Sequence, residues 1–277
     1  MKITFWGTRG SIAVPGKQTI RYGGNTTCLE VTLGSGRAVV IDAGTGIRAL
    51  GDKLTAENES IDIHLLVTHI HWDHVLGFPY FAPLYKTTST IRIDGYPTCI
   101  YGLRNTFENK MGDGFFPVKF AELKAGIHYL DVLQQRPLEI DGTTIDAIPL
   151  YHPQGGFGFR FREGEKTLVF LTDNELGSGG STREYVDFCG DADILIHDAQ
   201  FTPQEIGERR NWGHSDYGAA FHLAREAGVK KLILFHHDPS RTDGQVAHIQ
   251  GACAELAKDH KSSLIIEAAR EEGQVIL

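Results

Sequence analysis

The sequence has little of what marks membrane, secreted or metal-thiolate proteins. No apolar stretch reaches the roughly 18 residues that a membrane-spanning helix needs. The start of the chain has no apolar segment followed by a small-residue cleavage site, so we expect a cytoplasmic protein. The four cysteines lie far apart with no Cys-x-x-Cys pair, at Cys28, Cys99, Cys189 and Cys253. This spacing favours reduced, buried thiols over a disulfide framework or a thiolate zinc site.

Positive charge is also in short supply. The formal net charge is −8, from 27 basic and 35 acidic side chains, and no basic run of five or more residues occurs. A long polyanion would gain little of the sequence-independent attraction that clusters of Lys and Arg provide. Near the start of the chain, Arg9, Lys17 and Arg21 can form a local positive rim. We therefore expect a long nucleic acid to be a less favoured partner than a small molecule.

What the sequence does have is the composition of one large α/β domain. It is 41% hydrophobic, and no repeat, low-complexity stretch or Pro/Ser-rich linker divides residues 1–277. Strand-length apolar runs and helical periodicities predict strands at 3–6, 28–33, 38–42, 61–68, 91–95, 144–150, 167–172, 193–197, 232–235 and 263–268, and helices at 47–56, 181–188, 215–227 and 246–258. Ser215 is the predicted N-cap of its helix, and Gly228 is the predicted C-terminal stop.

The most informative segment reads Thr-His-Ile-His-Trp-Asp-His at 68–74, with His69, His71, Asp73 and His74 inside six residues. Imidazole and carboxylate groups are ligands that zinc takes, and a catalytic zinc needs about three protein ligands plus an open position. Four such groups on one short loop fit a single tetrahedral ion poorly. We therefore predict two divalent ions, each completed by ligands from other parts of the chain.

Three later strand-length runs each end at a potential ligand, namely His152, Asp173 and His236. In open sheets covered by helices, ligands bind at the carboxyl ends of strands, so several strand ends can meet at one point. The predicted arrangement is one ion on His69, His71 and His152, a second ion on Asp73, His74 and His236, and Asp173 as the bridge. Zinc is the expected metal, although manganese and iron accept the same ligand types.

These motifs resemble those of the metallo-β-lactamase superfamily, whose pattern is a strand-end Asp, His-x-His-x-Asp-His, a later His, a later Asp and a last His. In this sequence the matching positions are, in order, Asp42, residues 69–74, His152, Asp173 and His236. The resemblance implies an α/β fold with mixed sheets, built as a four-layer αββα sandwich. It also implies a binuclear site at one edge and mainly hydrolytic chemistry.

The resemblance assigns further roles. It implies that Asp42 orients a ligand histidine, as carboxylates bonded to metal-binding imidazoles do. Because His71 stands where the di-iron redox branch is expected to have an acid, hydrolysis is favoured over redox chemistry.

Finer features resemble the phosphodiesterase and ribonuclease Z branch of the superfamily, and they lie at residues 7–11, 23–27, 212–215 and 235–239. Members of that branch have a non-ligand histidine at the position that matches His214. We expect a metal-bridging hydroxide as the nucleophile, with Asp73 both binding metal and holding the hydroxide by a hydrogen bond. His214 is the expected general acid or oxyanion partner.

Substrate size follows from what is missing. Full ribonuclease Z proteins also carry a long basic arm that grips transfer RNA, and none is evident between His74 and His152. Together with the negative net charge, this favours a small phosphodiester. The aromatic-rich residues 78–85 and 115–116 can form a wall on which a base stacks, with core packing as the default alternative. A cyclic nucleotide would combine one diester with one base.

Three other functions stay open. A ribonuclease Z-like RNA endonuclease shares the motifs. Thioester hydrolases of the glyoxalase II type share the ligand pattern, but few residues follow His236 where their helical substrate domain would lie. The third is a metal-stabilised binding module without turnover. The oligomeric state is also open, a homodimer included.

Overall fold

Two β-sheets form the centre of the protein, in a computed structural model that describes residues 1–97, 102–112, 114, 116–177 and 182–277. The first sheet contains β1 (Lys2–Gly7), β2 (Cys28–Thr32), β3 (Ala38–Ile41), β4 (Ile61–Val67), β5 (Ser89–Gly95), β6 (Gly126–Tyr129) and β14 (Gln274–Ile276). Their spatial order is β14-β1-β2-β3-β4-β5-β6. The pairs from β14 to β3 are antiparallel and those from β3 to β6 are parallel, so the sheet is mixed.

The second sheet is also mixed. It contains β7 (Leu138–Ile140), β8 (Thr143–Pro149), β9 (Phe157–Glu163), β10 (Lys166–Leu171), β11 (Ile194–Asp198), β12 (Lys231–Phe235) and β13 (Ile265–Ala268). Their spatial order is β13-β12-β11-β10-β9-β8-β7. The strands from β10 to β13 pair in parallel, and those from β7 to β10 pair antiparallel.

Burial on both faces explains why the central strands read as unbroken apolar runs. In β10, Leu168 and Phe170 pack against the other sheet, whereas Val169 and Leu171 pack beneath helices. Successive side chains of a strand point to opposite faces, so a strand covered on both sides must be apolar at every position.

Helices cover the outer face of each sheet. On the first sheet lie α1 (Ile47–Glu57), α2 (Trp72–Val75) and α3 (Arg104–Lys110), and on the second lie α4 (Thr182–Cys189), α5 (Tyr217–Glu226) and α6 (Asp243–Asp259). Short 3-10 turns occupy Phe78–Tyr80, Ala82–Tyr85, Phe120–Glu122 and Ile206–Arg209. The order of layers is therefore helix, sheet, sheet, helix, which confirms the expected four-layer α/β fold.

All of the predicted strands and helices are present, but the strands β6, β7, β9 and β14 and the short helices α2 and α3 were not predicted. In β9 the sequence Phe-Gly-Phe-Arg-Phe-Arg alternates apolar and polar residues, and Phe159 and Phe161 fill the space between the sheets. That period of two is a readable strand signal. The edge strands β6 and β14 have no fully buried residue and so carry a weaker pattern.

The predicted N-cap at Ser215 is wrong. Asp216 caps α5 instead, and its carboxylate accepts hydrogen bonds from two backbone N–H groups of the first turn, at 2.8 and 3.1 Å. The Ser215 hydroxyl donates to the backbone oxygen of Asn174 at 2.6 Å and so joins two loops. The predicted stop at Gly228 is confirmed, because this residue follows the helix with a φ of +69°.

Arg9 is not part of a positive rim, because its side chain is fully buried. Its Nε donates to the backbone oxygen of Gly23 at 2.7 Å, and its Nη1 donates to those of Asp238 and Arg241 at 3.1 and 2.8 Å. The guanidinium thereby joins the first loop of the chain to the segment that follows β12. Lys17 and Arg21, in contrast, are exposed.

Three of the four cysteines behave as the sequence predicts. Cys28, Cys189 and Cys253 are buried free thiols, and burial raises the pKa of each. Cys99 lies outside the described residues. Over the described part of the chain, no helix combines the length and the apolar character needed to cross a bilayer.

Replacement of Arg9 tests its structural role. We expect Arg9→Ala to lower the free energy of unfolding by about 3–5 kcal/mol, because the fully buried side chain is lost and one buried and two half-buried carbonyl groups lose their donor. The exposed control Arg21→Ala should change it by no more than about 0.5 kcal/mol. Urea denaturation of both variants measures the difference, and equal stabilities would show that Arg9 contributes nothing by its burial.

Candidate metal centre

The predicted ligands meet at one edge of the sandwich, where strands of both sheets end. Asp42 follows β3, residues 69–74 follow β4, Asp173 follows β10 and His236 follows β12. The φ angles of Asp42, Asp173 and His236 are positive, at 62°, 57° and 54°. Residues other than Gly rarely adopt this conformation, and such strain concentrates at functional sites. The backbone therefore turns sharply at each of these strand ends.

His69, His71 and His152 form the first cluster. The Nδ1 atom of His71 lies 3.0 Å from His69 Nε2 and 3.1 Å from His152 Nε2. All three ligand atoms lie within 4.8 Å of one another. His69 is buried and the other two rings are half-buried, so this cluster is the more open side of the site.

Asp73, His74 and His236 form the second cluster, and Asp173 lies between the two. The Oδ2 atom of Asp73 is 3.3 Å from His74 Nε2 and 3.1 Å from His236 Nε2. Asp173 faces the same nitrogens with separate oxygens, Oδ2 at 3.2 Å from His74 and Oδ1 at 3.2 Å from His236. Because His69, His74 and Asp173 also converge within 4.8 Å, Asp173 connects the clusters.

Three of the imidazoles are also held by hydrogen bonds at Nδ1, the ring nitrogen that faces away from the ligand atoms. His74 Nδ1 lies 2.7 Å from Asp42 Oδ2, and His236 Nδ1 lies 2.9 Å from Gln200 Oε1. His152 Nδ1 lies 2.9 Å from the backbone oxygen of Gly213. An imidazole that donates through Nδ1 presents the lone pair of Nε2 to the site. The geometry of Asp42 is that expected of a residue that orients a ligand histidine. His71 is turned the other way, with Nε2 facing Gln154 Oε1 at 3.1 Å.

Attraction between carboxylates and imidazoles sets the charges in the second cluster. Burial by itself raises the pKa of Asp173, yet the charges of His236 and His74 lower it well below its ordinary value. Burial lowers the pKa of His74, but the facing carboxylates of Asp73, Asp173 and Asp42 raise it well above normal. Protons on the imidazoles therefore offset the negative charge of the carboxylates in the metal-free protein.

This donor set fits two divalent ions. His74 Nε2 is buried and has no hydrogen-bond partner, although two carboxylates face it. A cation would satisfy this nitrogen and take the place of its proton. Three protein ligands for each ion, with one shared carboxylate, is a set that catalytic zinc accepts, as do manganese and iron. The fold and its His/Asp clusters imply divalent metal binding.

His214 lies beside the shared carboxylate. Its Nδ1 is 3.3 Å from Asp173 Oδ1 and 3.8 Å from Asp198 Oδ2, and its ring stacks on that of His236 with centroids 5.0 Å apart. Burial lowers the pKa of His214 to about 3, so the imidazole is neutral at neutral pH. His152, Asp173 and His214 also converge within 4.8 Å, so proximity alone does not separate a ligand from its neighbour.

His197 and Asp198 form another possible ligand pair at a strand end, that of β11. The structure places neither of them in a metal-binding cluster of the described residues. Asp198 instead accepts hydrogen bonds from the backbone nitrogens of Asn174 and Ser215, at 3.1 and 2.7 Å. Since Asn174 follows Asp173 and Ser215 follows His214, Asp198 holds the two functional loops together.

Two further positioning residues were not predicted. The buried Glu175 accepts hydrogen bonds from the backbone nitrogens of Asn211 and Gly213, both at 2.9 Å. The backbone nitrogen of Ser11 donates to Asp73 Oδ2 at 2.7 Å. Ser11 lies in a segment that resembled the branch pattern, but its contact with Asp73 depends on long-range folding that no local signal reveals.

A large apolar cavity of about 510 Å³ lies on the other side of the metal-binding loop. In α2, Asp73 and His74 are buried toward the metal centre, whereas Trp72 and Val75 line the cavity. Successive residues of a helix are about 100° apart, so these two pairs occupy opposite sides of α2. The cavity therefore does not open directly onto the ligand atoms of this helix.

The predicted aromatic wall is divided between the core and this cavity. Phe78 and Phe81 are fully buried, as core packing predicts. Tyr80 lines the cavity, where its ring meets that of Phe116 edge-on at 5.3 Å. Phe115 lies outside the described residues. Contact of these aromatic groups with a substrate stays a prediction.

The chain is similar to known proteins in sequence and in fold. Residues 37–237 match a family model described as a beta-lactamase superfamily domain. Ribonuclease Z from Methanosarcina acetivorans is 25% identical over 289 residues, which cover 88% of this chain and 89% of that protein. The metallo-beta-lactamase fold protein YhfI from Bacillus subtilis has a TM-score of 0.72 at 18% identity, with 99% and 98% of the two chains covered. Human short-form tRNase Z has a TM-score of 0.66 at 19% identity, with 100% and 99% covered.

These similarities bear on the expected partner. The relatives named ribonuclease Z act, by their name, on RNA. They therefore give no support to the prediction that a long nucleic acid is the less favoured partner, which was based on net charge and on the missing arm.

Gly213 offers a test of the first cluster. Its φ is +83°, and a Cβ atom added there would lie 2.0 Å from His152 Nδ1. We expect Gly213→Ala to displace His152 and to lower metal affinity about 10–100-fold, as loss of a ligand's supporting contact does. Competition with a chelating dye measures this affinity. In Gly207→Ala, the added carbon meets no atom within 4 Å and affinity should stay as in the wild type. Equal metal affinities in Gly213→Ala and Gly207→Ala would show that the position of His152 does not affect metal binding.

Proposed function

The chain belongs to the metallo-β-lactamase superfamily and is a metal-dependent hydrolase, and from that premise we propose that it cleaves phosphodiesters with two divalent ions, most favourably zinc. The observation that carries the proposal is His214, a buried neutral imidazole beside the carboxylate that faces both ligand clusters. Cleavage of a diester places negative charge on the phosphoryl oxygens and on the departing alkoxide. A preorganised hydrogen-bonding group at that position stabilises such charge.

Two ions bound here would supply an attacking hydroxide near neutral pH and would neutralise charge on the phosphoryl group. The side chains of the protein then act by their positions. Asp73 is fixed by the backbone nitrogen of Ser11 and faces both His74 and His236, so it is placed to bind metal and to orient the attacking group by a hydrogen bond. Asp42 and Gln200 hold the two imidazoles in the orientation that this requires.

His214 has two candidate roles, as the proton donor to the leaving group or as a hydrogen-bonding partner of the phosphoryl oxygens. The low pKa of His214 means that little of its protonated form is present at neutral pH. This favours the hydrogen-bonding role, because a neutral imidazole still donates through one ring nitrogen. The stacking of His214 on His236 keeps the ring beside the metal centre.

A small phosphodiester, such as a cyclic nucleotide, is the first substrate candidate. The net charge of −8 and the absence of a basic run in the sequence favour it over a long polyanion. The more open first cluster gives a compact diester access to the ligand atoms.

An RNA substrate, cleaved in the manner of ribonuclease Z, is the second candidate. The specific support for it is the similarity to Methanosarcina acetivorans ribonuclease Z, which extends over most of both chains. A thioester hydrolase of the glyoxalase II type has the same ligand pattern, but it has no evident need for His214. A binding module without turnover accounts less well for two complete sets of ligands.

A substrate panel tests the proposal. We expect protein purified without chelator to cleave bis-(p-nitrophenyl) phosphate and to cleave either a cyclic nucleotide or a precursor transfer RNA. Removal of metal with a chelator should abolish this activity, and added Zn²⁺ should restore it, because the nucleophile depends on the ions. Cleavage of a glutathione thioester but of no diester would show that the protein is a thioesterase instead. Bound metal without cleavage of any of these substrates would favour a metal-stabilised binding module.

Substitution separates the roles of the two catalytic candidates. Asp73→Asn and His214→Ala should each lower kcat about 10²–10⁴-fold while the circular dichroism spectrum stays that of the wild type. His214→Gln can donate a hydrogen bond but cannot titrate, so it should retain more activity than His214→Ala if the hydrogen-bonding role holds. Wild-type rates in Asp73→Asn or His214→Ala, at equal metal content, would remove that residue from the mechanism.

A further inference from the structure

An exposed tryptophan lies in the loop that carries His214. Trp212 precedes His214 by two residues, and 53% of its surface is exposed. Gly213, between them, has its backbone oxygen 2.9 Å from His152 Nδ1. Trp212 is thus adjacent in sequence to the residue that contacts His152, and one residue separates it from the proposed catalytic histidine.

Arg209 joins this indole to the interior of the site. Its guanidinium carbon lies 4.9 Å from the ring centroid of Trp212 and 5.5 Å from that of Phe201. The Phe201 ring in turn meets His214 edge-on at 6.0 Å. A continuous series of ring and guanidinium contacts therefore runs from the exposed indole to His214, and the guanidinium keeps hydrogen-bond donors at its edges for an anionic group.

The backbone on both sides of Trp212 is fixed by a buried carboxylate. The buried carboxylate of Glu175 accepts hydrogen bonds from Asn211 and Gly213, the residues on either side of Trp212, both at 2.9 Å. A residue whose two neighbours are tied to one buried carboxylate has little backbone freedom to lose on binding. A backbone fixed in this way favours a side chain that binds a ligand over one that only covers the surface.

Two arginines lie in the same segment as Trp212, beside Glu205 and Glu208. Among the described residues, neither Arg209 nor Arg210 forms an ion pair, and Glu205 pairs with Arg241 instead. An exposed aromatic ring beside arginines that form no ion pair is a surface suited to nucleotides, because a base can stack on the ring and a phosphate can pair with a guanidinium.

We propose that Trp212 and Arg209 form a subsite that stacks one nucleobase of the substrate, so that this site prefers a nucleotide diester to a simple alkyl or aryl diester. This inference rests on the proposed phosphodiesterase function and deepens it. Trp72, although 70% exposed, lines the apolar cavity on the opposite side of α2 and is excluded from the subsite. It therefore provides a matched control.

A double-mutant cycle between Trp212 and the base tests the subsite. The substrates are uridylyl-uridine and its two analogues in which one or the other base is replaced by hydrogen. We expect Trp212→Ala to lower kcat/KM for uridylyl-uridine about 5–100-fold, which is the loss expected of one stacked base. For the analogue that lacks the stacked base, Trp212→Ala should have a kcat/KM within about twofold of that of the wild type on the same analogue. Trp212→Phe should recover most of the activity, and Trp72→Ala should change none of the three rates.

The outcomes separate this inference from the function on which it rests. Equal losses of kcat/KM on all three substrates would show that Trp212 acts only through the folding of its loop. No loss on any substrate would show that Trp212 does not contact the substrate. A base-dependent loss in Trp72→Ala would move the subsite to the apolar cavity. In each of these cases cleavage of bis-(p-nitrophenyl) phosphate by the wild type keeps the proposed function. If the metal-loaded wild type cleaves no diester, both proposals fail.

Discussion

The carboxylate of Asp173 is the contact on which the site depends. It lies 3.2 Å from His74, 3.2 Å from His236 and 3.3 Å from His214, and it is almost completely buried. A buried carboxylate is costly unless cations or hydrogen-bond donors surround it, so the charges on His74 and His236 are needed to keep Asp173 ionised in the fold. The positive φ of Asp173 adds backbone strain, which the loops tied to Asp198 hold in place. Stability and function are thus joined at one residue.

The sandwich makes this convergence possible because both sheets end at the same edge. The first sheet delivers Asp42 and the loop at 69–74, and the second delivers Asp173 and His236. Neither sheet supplies a complete site. Helix α2 then divides two environments, with ligand candidates on its inner side and an apolar cavity on its outer side. The same geometry that gathers the ligand candidates therefore separates this apolar cavity from the candidate metal centre.

The convergence of the ligand candidates could be predicted from the sequence because each lies at or just beyond the end of an apolar run, so a local pattern indicates both its chemistry and its place. The α/β sandwich was implied by the family resemblance of the same motifs. Arg9, Glu175 and Gln200 could not be predicted, because their partners are backbone groups or side chains more than a dozen residues away, and a buried arginine has no local signature. Ser215 was predicted as a cap because Ser and Asp are both good N-caps and adjoin here. Only the structure shows that Asp216 turns inward to the helix and Ser215 to Asn174.

The central claim is that two cations share the carboxylate of Asp173. Anomalous diffraction from crystals grown with Zn²⁺, recorded at the zinc absorption edge, tests it most directly. The account predicts two peaks about 3.5–4 Å apart, one among His69, His71 and His152 and one among Asp73, His74 and His236, with Asp173 between them. A single peak, or peaks held by other residues in a crystal of active protein, would contradict it.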